Sequence, residues 1–178
     1  MSESGRTEEG EARVREWVER TLGWGNGRAD VVRVPHLGTP GFDFFVVSQR
    51  ALGPAGDIFV MTDGREIHTA GPSGLGRVLA REGFPRDAGA IPAAQLAELF
   101  LRMGAVRQGR VIQEASDFAL RSLSEAARAS FTPPRIQPEG DGALLTFWTA
   151  GADPTQVARW KVWITADAAL SHEVEPVV

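Results

Sequence analysis

Side chains near the start of the chain follow the period of an α-helix. Apolar residues and one threonine recur every three or four positions, which places them on one helical face: Val14, Trp17, Val18, Thr21 and Leu22. Gly23 is a typical end for such a helix. Residues 1–10 are polar and contain glycine, and we expect them to form a flexible N-terminus.

Three short apolar runs then predict β-strands. Residues 31–34 end at Pro35, and residues 42–47 are apolar on both alternating faces, as in a central strand covered on both sides. Residues 57–62 lead into Asp63-Gly64, the sequence typical of a two-residue hairpin turn. Such a turn predicts three cross-strand pairs: Thr62 with Arg65, Val60 with Ile67, and Phe59 with His68.

The middle of the chain has helical patterning. Ser73 is positioned to cap a helix over residues 74–82, and Ile91-Pro92 is positioned to open another with proline at its first turn. The second of these helices carries a clear apolar stripe: Leu96, Leu99, Phe100 and Met103. A third helix is predicted over residues 116–130, stopped by Pro133-Pro134.

Strands return at the end of the chain, over residues 144–150, 157–165 and 170–174. A two-residue turn at Asp167-Ala168 would oppose Ile164 with Ser171, an apolar side chain with a polar one. A three-residue turn over 167–169 avoids this and is the register we predict. Its expected pairs are Ile164 with His172, Val162 with Val174, Lys161 with Glu173, and Arg159 with Glu175.

These elements predict an α+β fold with antiparallel sheets packed against helices. The order of elements suggests two helix-plus-four-strand repeats, residues 11–72 and 115–178, joined by a helical connector over residues 73–114. The whole is expected to form one compact domain. The alternative is that any α+β chain with hairpins shows such a pattern by chance.

Composition narrows the function classes. The 178 residues are 43% hydrophobic and 24% charged, with no cysteine and a net charge of −4. Disulfides, thiolate metal sites and cysteine nucleophiles are therefore excluded. Lys161 is the only lysine, and the glycine, alanine and arginine content is typical of a GC-rich bacterial genome. We expect a cytoplasmic protein with no nucleic-acid partner, no membrane association and no cofactor.

Candidate ligand-binding residues lie in two loops. His36 belongs to a constrained loop rich in proline and glycine, residues 35–41. Ser73 and Arg77 follow a strand and open a helix, where free backbone N–H groups can bind an anion. The glycine spacing there matches neither the dinucleotide nor the P-loop pattern. His68 and His172 are expected to be half-buried, and no metal-ligand spacing connects the three histidines.

The strongest candidate surface is the polar face of strand 157–165. Trp163 is expected on it beside Arg159 and Lys161, and tryptophan and arginine are enriched at binding hot spots. The alternatives are that a helix covers this face, or that Glu173 and Glu175 neutralise the two cations. The sequence therefore predicts a non-catalytic protein-binding or regulatory module, similar in architecture to immunity or inhibitor proteins. The same face would also allow a homodimer. The alternative function is a small enzyme or ligand-binding protein with a cleft near His36.

Overall fold

The computed structural model describes residues 3–25, 27–52, 56–87, 89–104, 109–153 and 155–177. In this part of the chain four α-helices accompany two antiparallel sheets, which confirms the predicted α+β class. The layers follow one another as a helix, the first sheet, a pair of helices, the second sheet and a short helical segment.

The first sheet is an antiparallel meander. Its strands lie side by side in chain order: β1 (Ala29–Arg33), β2 (Asp43–Gln49), β3 (Ile58–Thr62) and β4 (Ile67–Thr69). Helix α1 (Glu3–Trp17) packs on one face and continues into a π-helical turn, Val18–Leu22. The helix therefore begins well before residue 11, where we expected the flexible N-terminus to end, and Gly10 packs against Thr62.

Strand β2 is buried on both faces, as predicted. Phe45 and Val47 face α1, whereas Phe44 faces the central helices, and all three are fully buried. An apolar run on both alternating faces is stable only where both faces are covered, because one exposed face would leave large apolar side chains in water.

Two central helices connect the sheets. They are α2 (Pro72–Arg81) and α3 (Ala93–Met103). Gly71, not Ser73, precedes α2, and Pro92 stands just before α3 in an extended conformation instead of at its first helical position. The predicted apolar stripe of α3 is confirmed, since Leu96, Leu99, Phe100 and Met103 are buried in the main core.

The second sheet has five strands. They are β5 (Arg110–Ile112), β6 (Arg135–Glu139), β7 (Gly142–Ala150), β8 (Val157–Ile164) and β9 (Leu170–Val177). Strands β5 and β6 both pair with β7, because each occupies a different end of this long strand. Strands β7, β8 and β9 follow as a meander. Both sheets thus have meander topology, while duplication and the boundaries at residues 72 and 115 remain predictions.

The predicted register of the first hairpin is wrong. Thr62 pairs with Ile67 and Met61 with His68, so four residues, 63–66, form the loop. The side chain of Asp63 explains the longer loop, since its Oδ1 accepts hydrogen bonds from the backbone N–H groups of Arg65 and Glu66, each at 2.9 Å. An Asx turn of this kind stabilises a loop that a two-residue hairpin would not allow.

The three-residue turn predicted for the last hairpin is wrong, although two of the four expected pairs occur, because those four pairs combined two registers that differ by two positions. Lys161 pairs with Glu173 and Arg159 with Glu175, as expected, but Ile164 pairs with Leu170 and Val162 with His172. The predicted pairs Ile164–His172 and Val162–Val174 are therefore wrong. The loop has five residues, 165–169, with Ala168 in a left-handed conformation (φ 60°), so the strands align two positions away from those apolar pairs.

The third predicted helix is wrong. Residues 116–130 contain instead a 3₁₀ turn, Phe118–Ser122, and the short helix α4 (Glu125–Ala129). Leu123 between them is extended, and the Ser124 side chain accepts a hydrogen bond from Ala127 N–H to cap α4. We define residues 117–131 as the cover segment, because it packs on the second sheet.

Candidate functional site: the outer face of the second sheet

Alternation along β8 sorts its side chains onto two faces. Trp160, Val162 and Ile164 are buried against α2 and α3. Arg159, Lys161 and Trp163 point the other way and are half-buried, which places them on one face as the sequence predicts. We call this side, away from α2 and α3, the outer face.

The centre of the outer face is apolar. Trp163 lies opposite Leu144 on β7, and both side chains are half-buried. The Trp163 indole N–H donates a hydrogen bond to Glu139 Oε1 at 3.3 Å. Because Glu139 belongs to the end of β6, this contact orients the indole toward the edge of the sheet while leaving part of its ring accessible.

Charged side chains surround this centre. Arg159 forms an ion pair with Glu175, and Lys161 Nζ lies 3.8 Å from Glu173 Oε2. Arg135 Nε donates to Thr146 Oγ1 at 3.1 Å. Glu173 and Glu175 therefore lie beside Lys161 and Arg159, which is one of the alternatives given in the sequence analysis. The partners are largely exposed, and exposed ion pairs of this kind contribute about 0–1 kcal/mol.

The cover segment closes one end of the outer face. Trp148, next to Arg159 in the pairing of β7 and β8, is buried beneath it and meets Phe131 edge to face at 5.6 Å between ring centroids. Asp117 anchors the segment through a bidentate bond from Arg110 and by accepting the Ala119 N–H. The bond from Arg110 lowers the pKa of Asp117 below its ordinary value. A helical element therefore covers the Trp148 end and leaves the Trp163 end accessible among the described residues.

The first sheet differs from the second on the corresponding side. Helix α1 lies along its outer side, and Val31, Phe45, Val47 and Val60 form a buried cluster with that helix. On the second sheet, by contrast, Leu144, Lys161 and Trp163 keep part of their surface in solvent. Within the described part of the chain, Trp163 is thus a large aromatic residue at the centre of an incompletely covered sheet face.

Sequence reasoning missed the part of this face that β6 and β7 supply. Arg135 and Glu139 lie on β6, which was not predicted because Pro138 interrupts its pattern and charged residues dominate it. Leu144 and Thr146 were placed on a strand, but their partners could not be assigned without the pairing of β7 with β8. The alternating polar residues Arg135, Gln137 and Glu139 were the available signal for an edge strand.

His36 lies in a well-anchored but exposed turn. Its side chain is 71% exposed, with Nε2 3.9 Å from Glu98 Oε2. Glu82 fixes the loop by accepting hydrogen bonds from Thr39 Oγ1 (2.5 Å) and Gly41 N–H (2.7 Å). These contacts hold the loop to the C-terminal end of α2 and leave the imidazole outside any enclosure formed by the described residues around it.

Ser73 and Arg77 lie in a different place from His36. They line an open groove between the start of α2 and the loop of the last hairpin, with Asp167 and Leu170. His36 belongs to the loop held by Glu82, beyond the other end of α2. A helix of this length spans about 15 Å, so the three predicted ligand residues do not converge on one site.

Within the described residues, no group of three or more histidine, aspartate or glutamate side chains is arranged to hold a metal ion. None of the described helices combines the length and apolar character needed to cross a bilayer.

Comparison with known proteins gives little further guidance. Kinesin-like protein KIFC2 of Homo sapiens is 38% identical over 89 residues, a match that covers 46% of this chain and 10% of the human protein. The chain thus spans about a tenth of that relative, and the match assigns no family. No protein-family model matches the chain, and no solved structure matches it.

Proposed function

We propose that this protein is a non-catalytic binding module that engages a protein partner through the outer face of its second sheet. The observation that carries the proposal is the half-buried Trp163–Leu144 pair at the centre of that face, whereas α1 buries the corresponding side of the first sheet. An aromatic anchor surrounded by polar groups is the usual anatomy of an interface centre.

The surrounding charges support a protein partner over a nucleic acid. Three cations and three carboxylates lie around the centre: Arg135, Arg159, Lys161, Glu139, Glu173 and Glu175. Such a balanced ring lacks the positive field that a phosphate backbone requires. Because the existing ion pairs are weak and exposed, a partner can exchange them for its own at little cost. A bacterial cytoplasmic location, which rests on composition alone, belongs to this proposal.

The described residues around His36 give less support to the alternative of a small enzyme with a cleft there. The His36 side chain is exposed, and Ser73 and Arg77 lie in a separate groove. Self-association is the closer competitor, because the same apolar centre would serve a symmetric dimer.

The test is affinity capture from a lysate of the source organism with quantification of the bound proteins. The variant is Arg159→Glu with Trp163→Ala. The matched control is Arg50→Glu with Val32→Ala on the first sheet, where Val32 is 55% exposed and Arg50 forms an exposed ion pair with Asp30. Circular dichroism establishes that both variants are folded.

We expect one stoichiometric partner to be retained by the wild type and the control, and to fall at least tenfold with the outer-face variant. Capture of nothing, or equal loss with the control, contradicts the proposal. Sedimentation of the purified protein distinguishes partner binding from self-association. If the wild type is a dimer and the outer-face variant is a monomer, this face serves self-association.

A further inference from the structure

A second, unrelated surface feature lies on the first sheet. An open groove of about 390 Å³ runs between the end of α1 and the hairpin that joins β3 to β4, a volume within the range of small-molecule sites. Its lining combines arginines with an aromatic and an aliphatic side chain: Arg13, Glu16, Trp17, Arg20, Arg65 and Ile67.

One wall of the groove has an unusual backbone. Arg20 belongs to the π-helical turn Val18–Leu22, whose only buried residue is Val18. π-Helical turns account for well under about 1% of residues and are frequently found at functional sites. Two of its five residues, Val18 and Leu22, pack against the core, and the other three, Glu19, Arg20 and Thr21, are exposed.

The groove is locally cationic. Its lining contains three arginines and one glutamate, and 3 − 1 gives a local charge of +2 on a chain with a net charge of −4. Glu16 is shared between Arg13, at 3.8 Å, and Arg20. Arg65 has no carboxylate partner among the described residues, so its guanidinium is available to a ligand.

Arg13 fixes the shape of the groove. Its Nε and Nη2 donate hydrogen bonds to the backbone oxygen of Arg65, at 3.1 and 2.8 Å. This fork ties α1 to the hairpin loop, so Arg20 and Arg65 are presented from two elements whose separation is set. A loop held in this way loses less conformational freedom when a ligand binds beside it.

We propose that this groove binds a small aromatic anion. The phosphate or carboxylate of the ligand accepts hydrogen bonds from the guanidinium groups of Arg20 and Arg65, which suit the geometry of either anion. The ring of the ligand lies against Trp17 and Ile67, where aromatic contact adds to the charge interaction.

The test is isothermal titration calorimetry of the full chain with AMP, 2-naphthoate and neutral adenosine. AMP carries a phosphate and 2-naphthoate a carboxylate, so the two compounds show which anion the groove binds. Adenosine has the aromatic ring of AMP without its charge. The variant is Arg20→Glu with Arg65→Glu. The matched control is Arg128→Glu, which makes the same charge change at an exposed arginine on α4, a helix that does not line the groove.

We expect at least one of the two anions to bind and adenosine not to bind. The double variant should weaken binding of that anion at least tenfold, as expected for the loss of charge-assisted hydrogen bonds, with the control unchanged. Absence of binding by both anions overturns the proposal, as does an equal loss with Arg128→Glu. Trp17→Leu, which keeps an apolar side chain and removes the aromatic ring, provides an independent check once circular dichroism shows that it is folded, since weaker binding places the ring as proposed and unchanged binding contradicts that placement.

Discussion

The indole N–H of Trp160 donates a 2.9 Å hydrogen bond to Thr149 Oγ1 on the neighbouring strand, and both residues are 4% exposed. The Trp160 ring also stacks on Phe147, with 5.9 Å between centroids and planes 3° apart. A buried indole N–H needs an acceptor, because an unsatisfied donor in the core keeps its full desolvation cost. This hydrogen bond therefore fixes the tryptophan that joins the second sheet to the central helices.

Replacing Thr149 with valine should destabilise the protein by about 1–3 kcal/mol, since it leaves the Trp160 donor unpaired without changing side-chain shape much. Urea denaturation followed by circular dichroism measures the change. The double variant Thr149→Val with Trp160→Phe should cost less than the sum of the single changes. Strict additivity of the two costs would show that the hydrogen bond contributes nothing.

His68 is a second buried polar group with a testable consequence. It is 4% exposed, and its Nε2 has no hydrogen-bond partner among the described residues. Burial lowers the pKa of His68, and the Arg81 guanidinium lowers it further, although Glu66 and Asp63 act in the opposite direction.

The folded state therefore binds this proton less readily than the unfolded state. The stability that neutral His68 contributes is present above its ordinary pKa of about 6.5 and is lost as the pH falls below that value. We expect His68→Leu to reduce the fall in unfolding free energy between pH 7 and pH 5. Exposed His36, changed to glutamine, is the control, and the same pH dependence in wild type and His68→Leu would refute the assignment.

Gly76 on α2 lies against the loop of the last hairpin. A Cβ at this position would stand 2.6 Å from the backbone oxygen of Ala168, too close for either element to stay in place. Gly76→Ala should therefore destabilise the protein by about 1–3 kcal/mol, despite the better helix propensity of alanine. Gly25→Ala, where an added Cβ meets nothing within 4 Å, is the control. Equal unfolding midpoints in a thermal melt of both variants would contradict this contact.

The sequence-based predictions succeeded where one local pattern determines the outcome. Burial of β2 on both faces follows from its composition, and the pairs Lys161–Glu173 and Arg159–Glu175 follow from charge and alternation. Hairpin registers failed because loop length depends on side-chain hydrogen bonds, such as those accepted by Asp63, which a dipeptide pattern does not contain.

Part of the candidate site could also be predicted from a local pattern. Alternation alone places Trp163, Arg159 and Lys161 on one face, because successive side chains of a strand point to opposite sides. The contributions of Leu144 and Glu139 depend on which strands become neighbours, and this is decided by the whole fold. The separation of His36 from Ser73 was equally inaccessible, since it depends on how α2 is positioned between the two loops.

Helices α2 and α3 pack against both sheets. Phe100 on α3 meets Phe147 and Trp160 of the second sheet at 6.2 and 6.1 Å between ring centroids, while Arg102 of the same helix lies over Phe59 of the first sheet. Each sheet therefore depends on α2 and α3 to cover the face that belongs to the main core. A break in the gene between the two sheets would take α2 and α3 away from at least one of them and expose its apolar inner face to water, so we expect the two sheets to be inherited and expressed together.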